Sequence, residues 1–287
     1  MSIELGKSTN KGTALLKLAH QFQNEVILKD NYLSWFFDES VVTALQDNPL
    51  NVDCELTNAY EEFQRIAYWY IILREKYGDE VIEIAIESGC KQLLLLGSGY
   101  DTRFFRLPSL QKHSIATFEV DLPKTILDKR NCLIEKLNSV PQGLSLVALD
   151  FNQDDFENVF QQGFEKGIPS VYIWQGVSYY LPKESISRVL DFIQANMMPN
   201  SIFVFDCCSP LMTVKNNQVP GIEDQINKLN AIGEPYLFGL NSDEMEVWLA
   251  QKGFQNVEIF QQDELEEKFL HRRTLPNNMW YVVTIRA

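Results

Sequence analysis

The sequence predicts an α/β fold: a doubly wound, mostly parallel sheet of seven strands, helices on both faces and an added helical lid. Three observations carry this. Leu93–Leu96 is an unbroken apolar run that opens onto Gly97-Ser98-Gly99, the pattern of a central parallel strand meeting a ligand loop. From there, strand-length apolar runs alternate with helix-period segments, as βαβ units require. The chain then closes on two further strand-like runs, Phe254–Phe260 and Trp280–Ile285, joined by residues 261–278.

Residues 1–90 precede the first clear strand and form the first expected unit, a set of N-terminal helices. Thr13 to Phe37 shows helical spacing through Leu15, Leu16, Leu18, Ala19, Phe22 and Val26, with a break at Lys29-Asp30. His20 is a helix-face residue, because a lone histidine without a placed partner carries no mechanism. Asn58 to Tyr77 is a long helix whose apolar stripe includes Phe63, Ile66, Ala67, Tyr70 and Ile71. Arg65 sits beside that stripe, and Arg74 falls in its last third. A second helix, Glu80 to Gly89, ends at a glycine C-cap.

Residues 91–287 form the second unit, a Rossmann-like core. Its strands after Leu93–Leu96 are Ile115–Asp121, Leu144–Leu149, Ser170–Trp174 and Ser201–Phe205. Leu122–Leu137 is a crossover helix, and another helix begins at Pro182. Residues 209–240 are rich in glycine and proline. They predict a substrate-covering insertion with one short helix. Asn241-Ser242 caps a helix over Asp243–Gln251. Cys207 and Cys208 are packing residues, since adjacent cysteines form no unstrained disulfide.

In doubly wound sheets, ligands sit outside the carboxyl ends of the strands. Gly97 and Gly99 let the backbone turn and approach a ligand closely. A dinucleotide fingerprint wants a third glycine and a free helix N-terminus for the pyrophosphate. Here Thr102 takes the third position, and Asp101 brings a negative charge where a pyrophosphate would lie. S-adenosylmethionine has no phosphate and carries an ammonium, a carboxylate and a sulfonium, so a loop with Asp101 and Arg103 suits it better. The next strand ends in Glu119-Val-Asp121, about twenty positions on, where a carboxylate accepts both ribose hydroxyls. Glu119 and Asp121 alternate along the strand and share a face. Asp121 before Leu122-Pro123 also suits a simple helix cap.

At this point the chain resembles a known family. Gly97-Ser-Gly-Tyr-Asp-Thr-Arg103, followed by Phe118-Glu-Val-Asp-Leu-Pro123 and Lys129-Arg130, resembles the leucine carboxyl methyltransferase family. That family includes bacterial carboxyl O-methyltransferases acting on polyketide-type molecules. The resemblance implies a class I methyltransferase fold whose last strand enters antiparallel, with residues 1–90 as an N-terminal helical lid and cofactor-capping helices. It also implies S-adenosyl-L-methionine as cofactor, contacted by the loop residues Gly97, Ser98, Gly99, Asp101 and Arg103. Arg65 then corresponds to the arginine that pairs with the methionine carboxylate, although at helical spacing it also suits Glu61 or Glu62. Asp150 would meet the adenine amino group and the Phe151 backbone the ring, although Asp150 also opens an acidic loop. Gln175-Gly176 stands where the family usually has Glu-Gly. Gln175 keeps a carbonyl oxygen for the cofactor's ammonium but lacks the charge. Tyr179 is the candidate catalytic contact to acceptor or methyl donor, although an aromatic there also suits the core.

The chain carries a net charge of −14, which disfavours binding to nucleic acid or anionic membranes. Its five cysteines include no Cys-x-x-Cys pair, and its three histidines are scattered, so no metal site is expected. There is no signal-peptide pattern and no run long enough to span a bilayer, which predicts a cytoplasmic protein with reduced thiols. The expected function is methyl transfer to a carboxylate, or a hydroxyl, of a small molecule. A carboxylate is already ionised at neutral pH, which fits the lack of a well-placed base. A protein C-terminal carboxylate is the related alternative. A protein that binds the cofactor without turnover, motivated by Gln175, is the alternative of another class.

Overall fold

The computed structural model describes residues 8–50, 59–215, 219, 221–273 and 278–287. Cys54, Asn58 and Pro220 lie outside the described residues. In chain order the elements are α1 (Thr9–His20), a 3-10 turn (Leu33–Phe36), α2 (Glu39–Asp47), α3 (Ala59–Glu87), β1 (Gln92–Leu96), α4 (Arg103–Arg106) and α5 (Pro108–Lys112). Then come β2 (Ala116–Asp121), α6 (Pro123–Leu137), β3 (Leu144–Ala148), α7 (Glu157–Gln161), β4 (Ser170–Trp174), a 3-10 turn (Ser178–Tyr180) and α8 (Lys183–Asn196). The last part holds β5 (Ile202–Cys208), a 3-10 turn (Pro210–Thr213), α9 (Ile222–Ala231), α10 (Ser242–Gln251), β6 (Val257–Gln261), α11 (Gln262–Leu270) and β7 (Trp280–Arg286).

The seven strands form one sheet in the order β3-β2-β1-β4-β5-β7-β6. The first five are parallel, while β7 runs antiparallel to both β5 and β6. Chain order reverses between β1 and β4, so their carboxyl ends open a crevice there. All five residues of β1 are buried. That burial on both faces explains its unbroken leucine run.

Alternate residues feed two cores. Leu93, Leu95, Val171 and Ile173 pack with Ile72, Leu73 and Val81 of α3. Leu94, Leu96, Tyr172 and Trp174 pack on the other face with Ile186, Val189, Leu190 and Ile193 of α8. The α8 spacing of three and four residues lays one apolar stripe on the sheet. Each such buried aliphatic side chain contributes about 1.5–3 kcal/mol of burial free energy.

Several expectations are corrected. The two helices expected over residues 58–77 and 80–89 are one, α3, which runs through Gly78. Gly78 costs helix propensity, about 1 kcal/mol against alanine. It persists because a Cβ there would lie 2.9 Å from Gln175 Oε1 and 3.0 Å from Arg103 Nη2. Strand β5 continues through Asp206, Cys207 and Cys208 rather than ending at Phe205, and pairs with β7 along that length. Helix α1 stops at His20, short of the predicted spacing through Val26. There the side chains take over the hydrogen bonding: Gln21 donates to Leu28 O and accepts from Asp30 N, and His20 Nε2 accepts from Ile27 N. No described helix is long and apolar enough to cross a membrane.

Candidate active site

A cavity of about 600 Å³ opens over the carboxyl ends of β1 to β4. Ligand sites of small molecules fall in this size range. Helix α1 and the segment from α9 to Leu237 contribute to its walls. These two covers meet where Thr9 N donates to Glu234 Oε2 at 2.7 Å. Gln64 Nε2 of α3 donates to Gln225 Oε1 of α9 at 3.0 Å.

The glycine loop builds one wall. Gly97 has φ +68°, and a Cβ there would lie 2.2 Å from Val177 Cγ2, so only glycine fits. Gly97 N and Ser98 N both donate to Val120 O, which draws the loop over β2. Ser98 also faces the cavity, and its hydroxyl is buried without a hydrogen-bond partner among the described residues. Gly99 N donates to Asp121 Oδ2 at 2.7 Å, and Leu122 N donates to Asp121 Oδ1 at 2.8 Å. Burial pushes the Asp121 carboxyl above its ordinary range, against these donors. Asp121 lines the cavity and keeps acceptor lone pairs for a ligand.

Glu119 does not line it. This corrects the expectation that both acids face the ligand. The two share a strand face, but Glu119 lies two residues deeper, beneath the glycine loop. There it is fully buried and ion-paired with Lys129 of α6. Burial pushes its carboxyl up to about 7, against the pull of that lysine.

Asp101 and Arg103 line the cavity, but their charges are largely spent on each other. Asp101 Oδ2 lies 2.5 Å from Arg103 Nη1, and Asp101 Oδ1 accepts from Arg103 N. Arg103 also pairs with Asp79 at 2.8 Å and donates to Gln175 Oε1 at 3.0 Å. The network extends through Glu75, which Lys17, Arg103 and Arg106 hold far below the usual carboxylate range despite its burial. Gln175 is thus an interior bracket: its oxygen accepts from Arg103, and its Nε2 donates to Arg74 O at 2.7 Å.

Arg65 does not line the cavity; Arg74 does. The two are nine residues apart on α3. That is two and a half turns, so they project from opposite sides of the helix. Arg74 continues the wall face of Ala67, Tyr70 and Ile71. That spacing of three, four and seven was the signal available in the sequence. Arg74 Nη1 donates to Tyr179 Oη at 2.7 Å and to Asp206 Oδ2 at 2.6 Å. Asp206 Oδ1 accepts from Gly176 N at 2.7 Å, and its Oδ2 also accepts from Tyr70 Oη. Gly176 has φ +80°, and a Cβ there would lie 2.6 Å from Arg74 Nη2. Tyr179 is buried, and burial raises its hydroxyl well above 10, so it remains a donor. Asp206 was not among the expected site residues: in the sequence it falls between the predicted strand end at Phe205 and the Cys207-Cys208 pair.

At the end of β3, Asp150 and Phe151 both line the cavity. The Asp150 carboxylate also accepts from Asn152 N and Gln153 Nε2, so it shapes its own acidic loop as well. The histidine of α1 stands apart. His20 is fully buried and hydrogen-bonded to Tyr68, and burial lowers it to about 4. Among the described residues, no histidine or cysteine lines the cavity, and no group of metal-ligating side chains forms.

The family model described as leucine carboxyl methyltransferase matches residues 11–194. A Bacillus subtilis protein named "Putative S-adenosyl-L-methionine-dependent methyltransferase YktD" is 26% identical over 247 residues, covering 83% of this chain and 76% of that protein. A Mycobacterium avium protein of the same descriptive name is 28% identical over 182 residues, covering 63% of this chain. The chain spans 55% of that relative's length. Among solved structures, a DUF574 family protein of Streptomyces avermitilis superposes with TM-score 0.61 at 11% identity, covering 96% of each chain. A Thermobifida fusca protein titled a "putative methyltransferase" superposes with TM-score 0.58 at 15% identity, covering 95% of this chain and 93% of that one. At these identities the superpositions speak for the fold alone.

Proposed function

The chain belongs to the leucine carboxyl methyltransferase family, and from that premise we propose that it is an S-adenosyl-L-methionine-dependent O-methyltransferase acting on the carboxylate of a small molecule. The residues present fit the cofactor. Asp121 offers carboxylate acceptors to a ribose diol, and the unpartnered Ser98 hydroxyl sits in the loop beside it. Arg74 offers a guanidinium at the β1–β4 crevice, where a carboxylate of the methionine part can be held by its planar donors. Phe151 supplies an apolar wall and Asp150 a carboxylate acceptor at the β3 end, suited to an adenine and its amine.

Bound S-adenosyl-L-methionine supplies a methyl group that is already electrophilic. The chain's own task is placement, which can lower a barrier by up to about 7–11 kcal/mol. Tyr179, oriented by Arg74, presents a hydroxyl to the crevice and can donate to an anionic oxygen of the acceptor. Tyr70, Tyr180, Tyr236 and Trp280 contribute aromatic wall, which excludes water from that end.

The observation that carries the carboxylate reading is the wall itself. Among the described residues it holds no histidine or cysteine, Tyr179 is kept protonated, and its carboxylates are engaged: Asp101 and Glu75 with arginines, Glu234 with Thr9 N, and Asp121 and Asp150 with the cofactor in this reading. An acceptor that arrives ionised needs no base. A hydroxyl acceptor would need one. The test is an acceptor screen with radiolabelled methyl donor, pairing carboxylic acids with matched alcohols and phenols. Base-labile methyl esters are the expected products; base-stable ethers would overturn the carboxylate assignment.

A further inference from the structure

We propose that Lys129 is a positioning residue for the cofactor loop: it holds the Asp101 peptide in place, and Glu119 serves to anchor that lysine rather than to touch ligand. The proposal rests on the reading that the cavity takes S-adenosyl-L-methionine.

Lys129 is completely buried in α6, where a lysine is rarely found unless paired. Its Nζ makes two bonds, one to Glu119 Oε2 and one to the main-chain oxygen of Asp101. Asp101 lies in the loop that follows Gly97-Ser98-Gly99 and lines the cavity. The lysine therefore bridges the strand beneath the loop to the loop's own backbone. One helical turn earlier, on the same face of α6, the Thr125 hydroxyl accepts from Asn10 Nδ2 of α1 at 3.3 Å. From one face of α6, Lys129 thus holds the ligand loop and Thr125 holds the helix that covers the cavity.

The pair is poorly built for stability alone. Glu119 Oε1 is buried without a hydrogen-bond partner among the described residues. Leaving a buried acceptor unpaired is costly, and apolar residues of similar volume often replace a buried ion pair without loss. What an apolar pair cannot reproduce is the bond from Nζ to the Asp101 carbonyl.

The experiment is calorimetric titration with S-adenosylhomocysteine, alongside thermal unfolding, of the wild type, Lys129→Met, Glu119→Gln and the double variant Glu119→Met/Lys129→Met. Lys129→Met should bind about tenfold or more weakly, and Glu119→Gln, which keeps the lysine's bond to Asp101, within about threefold of the wild type. The double variant removes the buried unpaired charge, so its unfolding midpoint should recover while its affinity stays low. Recovery of affinity together with the midpoint would reduce the lysine to a structural role and overturn the proposal. Folded Glu119→Gln binding as weakly as Lys129→Met would overturn it as well. A wild type that binds no S-adenosylhomocysteine would overturn the cofactor reading itself, a result distinct from the other two.

Discussion

Arg74 Nη1 donates to Asp206 Oδ2 across 2.6 Å, and both side chains are buried. Asp206 thereby fixes one edge of the guanidinium while its other oxygen holds the Gly176 backbone. The cation is delivered to the crevice already oriented, with Tyr179 on the same nitrogen. Its charge is permanent at any working pH.

Arg74→Lys keeps the charge but loses the planar fork. Affinity for S-adenosyl-L-methionine should fall about tenfold or more, while Arg65→Ala, on the opposite helix face, should leave it within about twofold. Calorimetry on both variants separates the two arginines. Equal losses would return Arg65 to the site.

Asp121→Ala removes the carboxylate held by Gly99 N and Leu122 N. Hydrogen bonds to a charged group are worth about 1.5–3 kcal/mol, so cofactor binding should weaken by about tenfold or more. Unchanged affinity would remove Asp121 from the ligand contacts.

Gln175→Glu would retain an acceptor for Arg103 but would set a carboxylate oxygen where Nε2 now donates to Arg74 O at 2.7 Å. Loss of that donor, with two oxygens facing each other, should cost about 1–3 kcal/mol of stability. Chemical denaturation measures it. An unchanged or raised stability would mean that this amide does not serve as the bracket between α3 and β4.

His20 gives a pH signature. Its folded value of about 4 lies below the ordinary 6.5, so the neutral ring is the form the fold accepts. Its contribution is complete above about 6.5 and is lost as pH falls through 4. Over that window the wild type should lose up to about 3 kcal/mol that His20→Gln does not lose. The stability difference between the two, measured by denaturant titration from pH 7 to pH 4, should therefore shrink. A constant difference would mean that the buried ring stays free to protonate.

The sheet was legible in the sequence because parallel strands buried on both faces read as short apolar runs, and β4 falls on the predicted residues. Helix α11 was not legible. Its start is capped by Gln261 with Glu264, and glutamine is an unusual N-cap. The break expected near Gly78 was absent because tertiary packing against Gln175 and Arg103 overrides a glycine's weak helix propensity. In the site, Gly97, Ser98, Gly99, Asp121, Asp150, Phe151, Gln175, Gly176 and Tyr179 converge on the cavity from separate strand ends. Depth along a strand and phase around a helix are what motif reading left open. Glu119 shares a face with Asp121 yet is closed off beneath the loop by Lys129, and Arg65 shares a helix with Arg74 yet faces away.

The most direct test of the cofactor site is calorimetric titration of the purified protein with S-adenosyl-L-methionine and S-adenosylhomocysteine, with NADH as the control. Saturable binding of both S-adenosyl compounds in the micromolar range, and none of NADH, is expected. Binding of neither S-adenosyl compound, or binding of NADH in their place, would contradict the cofactor reading.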